Sequence, residues 1–350
     1  MLAAVYTGKK RIKLENIEMP KISKNEILLK VKTAAICGTD LRIYRSGHFK
    51  IKKGEKRILG HEFSGVIEKV GSNVSGYREG ISVGVAPNIG CGKCRYCRMG
   101  LYHLCPDYEA FGISMDGAFA EYVKIPEMAI RQGNLILFDS DKVGYDELAL
   151  AEPLSCCYNA YRSVKTKAGD LVLIIGAGPM GILHLLLQRL AGARGVIVAD
   201  ISDRRLKLLE RYNVDLLVNS NKDNLYEAVM DFSDGMGMDV IITACPDPEV
   251  QQMSIKLAAK LGRINLFGGL PAENDDVKFN TNIIHYNGLV VTGTTGGSLF
   301  DYERSIDLIS SRKIDVKSII SKKFYIKDFD IAFNYALSGE GLKTEIIFDN

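Results

Sequence analysis

Two kinds of hydrophobic patterning divide the chain. Up to residue 153, short runs alternate apolar and polar positions, as in EILLKVKT (26–33) and FSGVIEKV (63–70), with glycine-bearing turns between them. A period of two puts every second side chain on one face, so these runs predict half-buried strands and a β-rich region. From 154 to about 290 the apolar runs are short and continuous: LVLII (171–175), VIVAD (196–200), DLLVN (215–219), DVIITA (239–244), RINLFG (263–268) and LVVTG (289–293). Four of them precede stretches of helical periodicity: PMGILHLLLQRLAG, DRRLKLLERY, NLYEAVMDF and PEVQQMSIKLAAKL. Strands apolar on both faces, alternating with helices, belong to a parallel sheet covered on both sides. Six in this rhythm predict an α/β fold with a doubly wound, parallel, six-stranded nucleotide-binding domain over 154–293. The tail, 294–350, carries one helical stretch (DYERSIDLISS) and short strand-like runs. It is expected to return to the first region, so that 1–153 and 294–350 make one domain with the other inserted.

The first apolar strand of the second region runs into Gly176-Ala177-Gly178-Pro179-Met180-Gly181, a G-x-G-x-x-G loop that opens a helix. In that setting Gly176 permits the turn, Gly178 the close approach of a pyrophosphate, and Gly181 the packing of helix on strand. Pro179 and Met180 begin the helix, whose free N–H groups and positive end face phosphate. Without the flanking strand and helix, such a loop would be only a tight turn. Asp200 ends the next strand, 19 residues beyond Gly181. A carboxylate there accepts hydrogen bonds from the adenosine ribose and repels a 2′-phosphate, so NAD is expected rather than NADP. The plainer role would be to cap the following helix. Arg204 and Arg205 bear on the choice, because an arginine here accommodates a 2′-phosphate. Arg205 is expected along the adenine and Arg204 in solvent.

Composition adds exclusions. A formal net charge of +3 over 350 residues argues for neither nucleic acid nor a membrane surface as partner. No run of 18 apolar residues occurs, and the N-terminal apolar run is too short for a signal peptide; a cytoplasmic protein is expected. In a reducing compartment, clustered cysteines point to metal rather than disulfides. Cys91, Cys94, Cys97 and Cys105 give C-x2-C-x2-C-x7-C. Four thiolates suit a closed tetrahedral zinc site, which fixes a loop too polar to build its own core. Bacterial ferredoxin runs share the first two gaps, but their third gap is about three residues. His103 lies in this lobe, where four cysteines already complete a shell. Cys156, Cys157 and Cys245 are expected to be structural.

Three short segments carry the remaining chemistry: Ile36-Cys37-Gly38-Thr39-Asp40, Gly60-His61-Glu62-Phe63 and Ala151-Glu152-Pro153-Leu154. Singly, each reads as core: a small buried cysteine, a satisfied histidine. Together, Cys, His and Glu make an open zinc site with one position left for water or substrate. These segments, with the four-cysteine lobe, the glycine loop and Asp200 in that order, resemble the zinc-containing medium-chain alcohol dehydrogenase family, and within it the sorbitol (L-iditol) dehydrogenase-like branch. The likeness covers essentially the whole chain. It implies a GroES-like catalytic domain built from 1–153 and 294–350. It implies Cys37, His61 and Glu62 as ligands of a catalytic zinc. Glu152 stands where alcohol dehydrogenases proper have a third cysteine, there to hold or deprotonate the zinc-bound water or approach the metal itself. The implied substrate is a polyol, sugar acid or cyclitol, activated by zinc and oxidised by NAD. Thr39 is expected to hydrogen-bond the alcohol oxygen. The family's relay histidine, five residues after the cysteine, is Arg42 here, which stays protonated. The proton is then expected to leave through Glu152 or water, with His48 as a further candidate. Relatives are homodimers or homotetramers, and LVVTG is the expected pairing edge.

Two features set the chain apart from animal sorbitol dehydrogenases. Their polyol-binding arginine and tyrosine are not recognisable in TGTTGGSLFDY (292–302), and FKIKKGEKRI before GHEF gathers Lys50, Lys52, Lys53, Lys56 and Arg57. That loop is expected to be solvated surface, the alternative being recruitment of a phosphorylated or acidic sugar. CGTDL and GHEF also resemble L-threonine 3-dehydrogenase, while AEPLSCC fits the polyol branch. A non-catalytic, crystallin-like NAD-binding protein would lack metal ligands that are all present here.

Overall fold

In the computed structural model, which describes residues 1–271 and 273–348, the alternating runs of the first region pair into one mixed sheet. The last two positions of the expected 294–350 segment lie outside the described residues. The elements that matter for function begin with β1 (Ile27–Ala35), α1 (Gly38–Ser46), β2 (Glu62–Val70), β3 (Ser82–Val85), β4 (Tyr122–Ile125), β5 (Leu135–Leu137), α2 (Tyr145–Ala149) and α3 (Ala151–Val164). Strand β1 is buried along most of its length rather than on one face. The reason is its place: β2 and β4 pair with it, and α2 packs across β1 and β2.

The second region follows with β6 (Leu171–Ile175), α4 (Pro179–Leu190), β7 (Gly195–Asp200), α5 (Asp203–Leu209), β8 (Leu216–Asn219), α6 (Leu225–Phe232), β9 (Met238–Thr243), α7 (Pro248–Leu257), β10 (Ala258–Leu266) and β11 (Val290–Gly293). Its six strands are parallel in the order β8-β7-β6-β9-β10-β11, the doubly wound arrangement. One expected helix is shorter than its periodicity implied. PEVQQMSIKLAAKL stops at Leu257, and Ala258 already pairs with Met238 in the sheet. Leu261, at φ +63°, is in the left-handed region that ends regular structure.

The chain then returns to the first sheet through α8 (Leu299–Ser310), β12 (Ile320–Tyr325) and β13 (Lys343–Ile347). That sheet runs β5-β3-β2-β1-β13-β12, with β4 also on β1. The chain divides into two units, Met1–Ser155 with Gly297–Asn350, and Cys156–Gly296, so the junctions fall at 155/156 and 296/297. Each has its own core: Phe63, Phe111, Phe119 and Phe329 in the first, Leu173, Ile197, Ile241 and Ile264 in the second. Full burial of each such side chain contributes roughly 1.5–3 kcal/mol. Among the described residues, no helix is long and apolar enough to cross a membrane.

Candidate active site

Cys37 is where the chain leaves β1 and turns into α1. It occupies the position before the helix, in extended geometry (φ −96°, ψ 153°). The residue that fixes this turn is Asp40. It is fully buried, and its carboxylate accepts hydrogen bonds from the N–H of Cys37 (2.9 Å) and of Gly60 (3.2 Å). The same carboxylate lies 3.5 Å from His61 Nδ1. One side chain thus ties together the two segments that carry Cys37 and His61, and its place beside Nδ1 leaves Nε2 free for a ligand. Glu62 follows at the start of β2. The ligand atoms of Cys37, His61 and Glu62 all lie within 4.8 Å of one another.

This donor set fits zinc: one sulfur, one imidazole and one carboxylate, three protein ligands with a position to spare. Burial opposes a charge on His61, yet Cys37 and Asp40 outweigh it and hold the imidazole pKa well above its ordinary value.

Lys343, from β13, complicates the picture. Its ammonium donates to both oxygens of Glu62 at 2.5 Å, and both residues are buried. Burial opposes its charge, but Glu62, then Cys37, raises its pKa above the ordinary lysine value. Glu152 is buried in the first turn of α3 and is not one of the three converging ligands. Its charge is felt at Lys343 and at the buried Tyr302. Thr39 lies in the first turn of α1, part-exposed, and Arg42 is exposed on the same helix. His48 follows that helix. Its Nδ1 accepts from the N–H of Lys50 (3.2 Å) and its ring stacks on Phe49. Burial, then Arg42 and Lys50, lower its pKa, so it is neutral at pH 7.

The four cysteines of the lobe also converge, with all four sulfurs within 4.8 Å. Cys94 caps a single helical turn, its sulfur accepting from the N–H of Cys97, and the N–H of Cys91 reaches the sulfur of Cys105. None is in a disulfide. Backbone N–H groups lower the Cys91 pKa to about 7, whereas burial pushes Cys97 up to about 12. Thiols so crowded suit a metal that takes all four as thiolates. His103 is outside the set.

In the second unit, Gly176 sits at φ +119° with Ala244 O against its face, and a Cβ on Gly181 would fall 1.8 Å from Gly176 O. A Cβ on Gly178 would meet nothing within 4 Å, so the space above the loop is open. Gly178 precedes α4, Pro179 is in its first turn, and no side chain caps it. Free N–H groups facing open space fit a dinucleotide phosphate. Asp200 braces the loop: it accepts from the N–H of Ala177 (2.8 Å) and of Ser202 (2.9 Å), with Arg205 3.8 Å away. Arg204 and Arg205 are exposed.

Known proteins resemble this chain over most of its length. Residues 23–132 match the alcohol dehydrogenase GroES-like domain, and 179–311 match the zinc-binding dehydrogenase domain. An L-threonine 3-dehydrogenase of Pyrococcus abyssi is 34% identical over 323 residues, 91% of this chain and 88% of that one. The chain belongs to the zinc-containing medium-chain alcohol dehydrogenase family. A sorbitol dehydrogenase of Bacillus subtilis is 30% identical over 96% of this chain and 94% of its own. A zinc-binding dehydrogenase from Sinorhizobium meliloti, solved with NADP, superposes with a TM-score of 0.90 at 28% identity, covering 99% of this chain and 98% of that one.

Two functional residues of this dehydrogenase escaped the sequence reading. Asp40 was visible as part of CGTD, and an acid three residues after a helix-capping position is a recognisable signal. Lys343 had a fainter one: a lone cation at the head of the apolar run KTEIIF, with nothing local to show that a glutamate 281 positions away awaits it.

Proposed function

We propose that this dehydrogenase transfers hydride between NAD and a secondary alcohol of a polyol, sugar acid or cyclitol, using the Cys37–His61–Glu62 centre. The convergence of those three side chains on one point carries the reading. Bound there, zinc supplies a Lewis acid that lowers the pKa of an alcohol oxygen, and the nicotinamide supplies the hydride acceptor. Cys37 and His61 hold the metal, with Glu62 as third ligand, and Asp40 keeps His61 in the orientation the metal requires. The Thr39 hydroxyl holds the alcohol proton, and Glu152 accepts it or directs it to water. His48, neutral at pH 7, serves as a second acceptor. Gly176, Gly178, Pro179, Met180 and Gly181 hold the pyrophosphate, while Asp200 and Arg205 hold the adenosine. The preference for NAD rests on Asp200, whose charge repels a 2′-phosphate. Cys91, Cys94, Cys97 and Cys105 hold a second, structural zinc.

A second reading, L-threonine 3-dehydrogenase, is supported by the Pyrococcus relative and by one surface feature. A groove of about 450 Å³ is lined by Phe49, Lys50, Lys52, Glu55, Glu109 and Ser114. Lys52 and Glu109 are exposed opposite charges there, a pairing that suits the carboxylate and ammonium of an amino acid. Assays of NAD and NADP reduction with sorbitol, inositol, sugar acids, sugar phosphates and threonine decide between the two. Turnover of threonine alone rejects the polyol reading. Assembly as a dimer or tetramer is supported by β11, the outer strand of the second sheet, where Val290 is half exposed.

A further inference from the structure

Glu345, on β13, is fully buried, and neither carboxyl oxygen has a hydrogen-bond partner among the described residues. An orphaned buried carboxyl is expensive, and native proteins keep few of them. Burial, then the charge of Asp146, holds its pKa well above the usual carboxylate range, although Lys323 and Lys343 pull the other way. Its surroundings thus favour the neutral form.

Its position gives it a use. In the sheet register Glu345 lies opposite Ala35 of β1, and Ala35 lies opposite Glu62 of β2. On its other side it lies opposite Lys323 of β12. Residues directly opposite one another point to the same face, as do residues two apart on one strand. Glu62, Glu345, Lys323 and Lys343 therefore share one face of the sheet. Two ion pairs are already made there: Lys343 with Glu62, and Lys323 with Asp146 of α2. Glu147 of α2 is taken by Arg312, and Glu152 of α3, whose charge also reaches Lys343, has an interaction of its own. Glu345 stands between the two pairs and takes part in neither.

Lys343 holds both oxygens that Glu62 would offer to a metal. Were Glu62 drawn away, a buried ammonium would be left unpaired beside a dication, which is strongly unfavourable. We propose that Glu345 is the reserve counter-ion of Lys343: when a metal held by Cys37 and His61 takes Glu62, the Lys343 ammonium moves to Glu345. The Glu345 carboxyl then releases one proton to solvent, in addition to those that Cys37 and His61 give up on ligating the metal. Glu345 is a positioning residue, which acts on the metal only by freeing Glu62. The inference rests on the reading of Cys37, His61 and Glu62 as a metal centre.

The test is a zinc titration against a chromophoric chelator, on protein whose four-cysteine lobe keeps its own zinc. Glu345→Gln keeps the shape but can never become an anion. It is expected to leave the melting temperature and the lobe zinc unchanged, to weaken the second zinc tenfold or more, and to release one proton fewer on its binding. Lys343→Met in the Glu345→Gln background should restore the affinity, because nothing then holds Glu62 back. Parental zinc affinity in Glu345→Gln, or no recovery in the double variant, overturns the proposal. A parent that binds only the lobe zinc overturns the metal reading itself, and this inference with it. Thermal melts supply a check free of the second metal. Glu62→Gln makes Lys343 depend on Glu345, so Glu62→Gln with Glu345→Gln should lose more stability than the two changes summed. Strict additivity contradicts the reserve role.

Discussion

The two candidate metal centres are built in opposite ways. The four-cysteine lobe takes all its ligands from residues 91–105, on one loop with one helical turn. Two of its sulfurs belong to part-exposed residues, and it is surrounded by basic and polar side chains. The second centre takes Cys37 and the His61–Glu62 pair from the ends of two adjacent strands. His61, Glu62, Asp40 and Lys343 are buried, Cys37 is part-exposed, and Asp40 and Lys343 stand behind the ligands. The first closes a loop that could not fold by burial alone. The second sits on a sheet that already has a core, so its donors are free to be arranged for chemistry. The difference teaches that ligand count is secondary to what lies behind the ligands: backbone N–H groups in the lobe, ionised side chains in the sheet.

The sharpest way to break this comparison is to remove one sulfur from each centre. Cys37→Ser is expected to lower kcat/KM more than about a hundredfold, beyond what loss of a mere supporting residue does. Its melting temperature and the lobe zinc should remain near the parent's. Cys97→Ala should do the reverse first, dropping the lobe zinc and the melting temperature together, with activity lost only as the protein unfolds. Metal analysis with thermal melts on both variants separates the cases. If Cys37→Ser unfolds and Cys97→Ala does not, the roles are exchanged.

Asp40→Asn probes the support rather than the ligand. The amide keeps the size of the side chain but loses the charge beside His61. An expected ten- to hundredfold loss in zinc affinity at the second centre, with the lobe untouched, follows from typical losses at such positions. Equal zinc binding in parent and variant would reduce Asp40 to a helix cap.

These supports mark the limit of what could be read along the chain. The six apolar strands, the glycine loop and the cysteine spacing are local patterns, and each is found where its pattern placed it. The double burial of β1 was invisible, because a period of two reports one buried face and says nothing of α2 lying across the sheet. The early stop of α7 was invisible for a similar reason: Ala258–Leu261 has helical composition, and pairing with β9 overrides it. Lys343 and Glu345 could not be placed at all. Their partners come from distant segments brought together only by the sheet register.

Asp200 offers a smaller effect in the other unit. Asp200→Ala removes the charge expected to repel a 2′-phosphate, while Arg205 remains to welcome one. The ratio of kcat/KM for NAD over NADP should fall by about tenfold, which is roughly 1.4 kcal/mol. A parent that already prefers NADP, or a variant with an unchanged ratio, removes Asp200 from cofactor selection.

An effect of similar size sharpens the comparison through a second buried histidine. The groups around His61 raise its pKa well above the ordinary value. His184, on α4, is fully buried with neither ring nitrogen hydrogen-bonded among the described residues, and burial alone pushes its pKa down to about 3. The unfolded chain, with an ordinary histidine pKa near 6.5, binds the proton first as pH falls. Between those two values the unfolded state carries more protons, so acid drains stability from the folded one. At pH 5.5 this amounts to about 1.4 kcal/mol, the linkage expected one unit below the unfolded pKa. His184→Leu removes the site and with it that part of the slope. At pH 7.5 the variant should be no less stable, since two unsatisfied nitrogens go with the ring. Denaturant melts of parent and variant at pH 7.5, 6.5 and 5.5 read the difference directly. Parallel pH dependences would mean that the imidazole finds a partner for its proton inside the fold, and that burial without anions is not what separates His184 from His61.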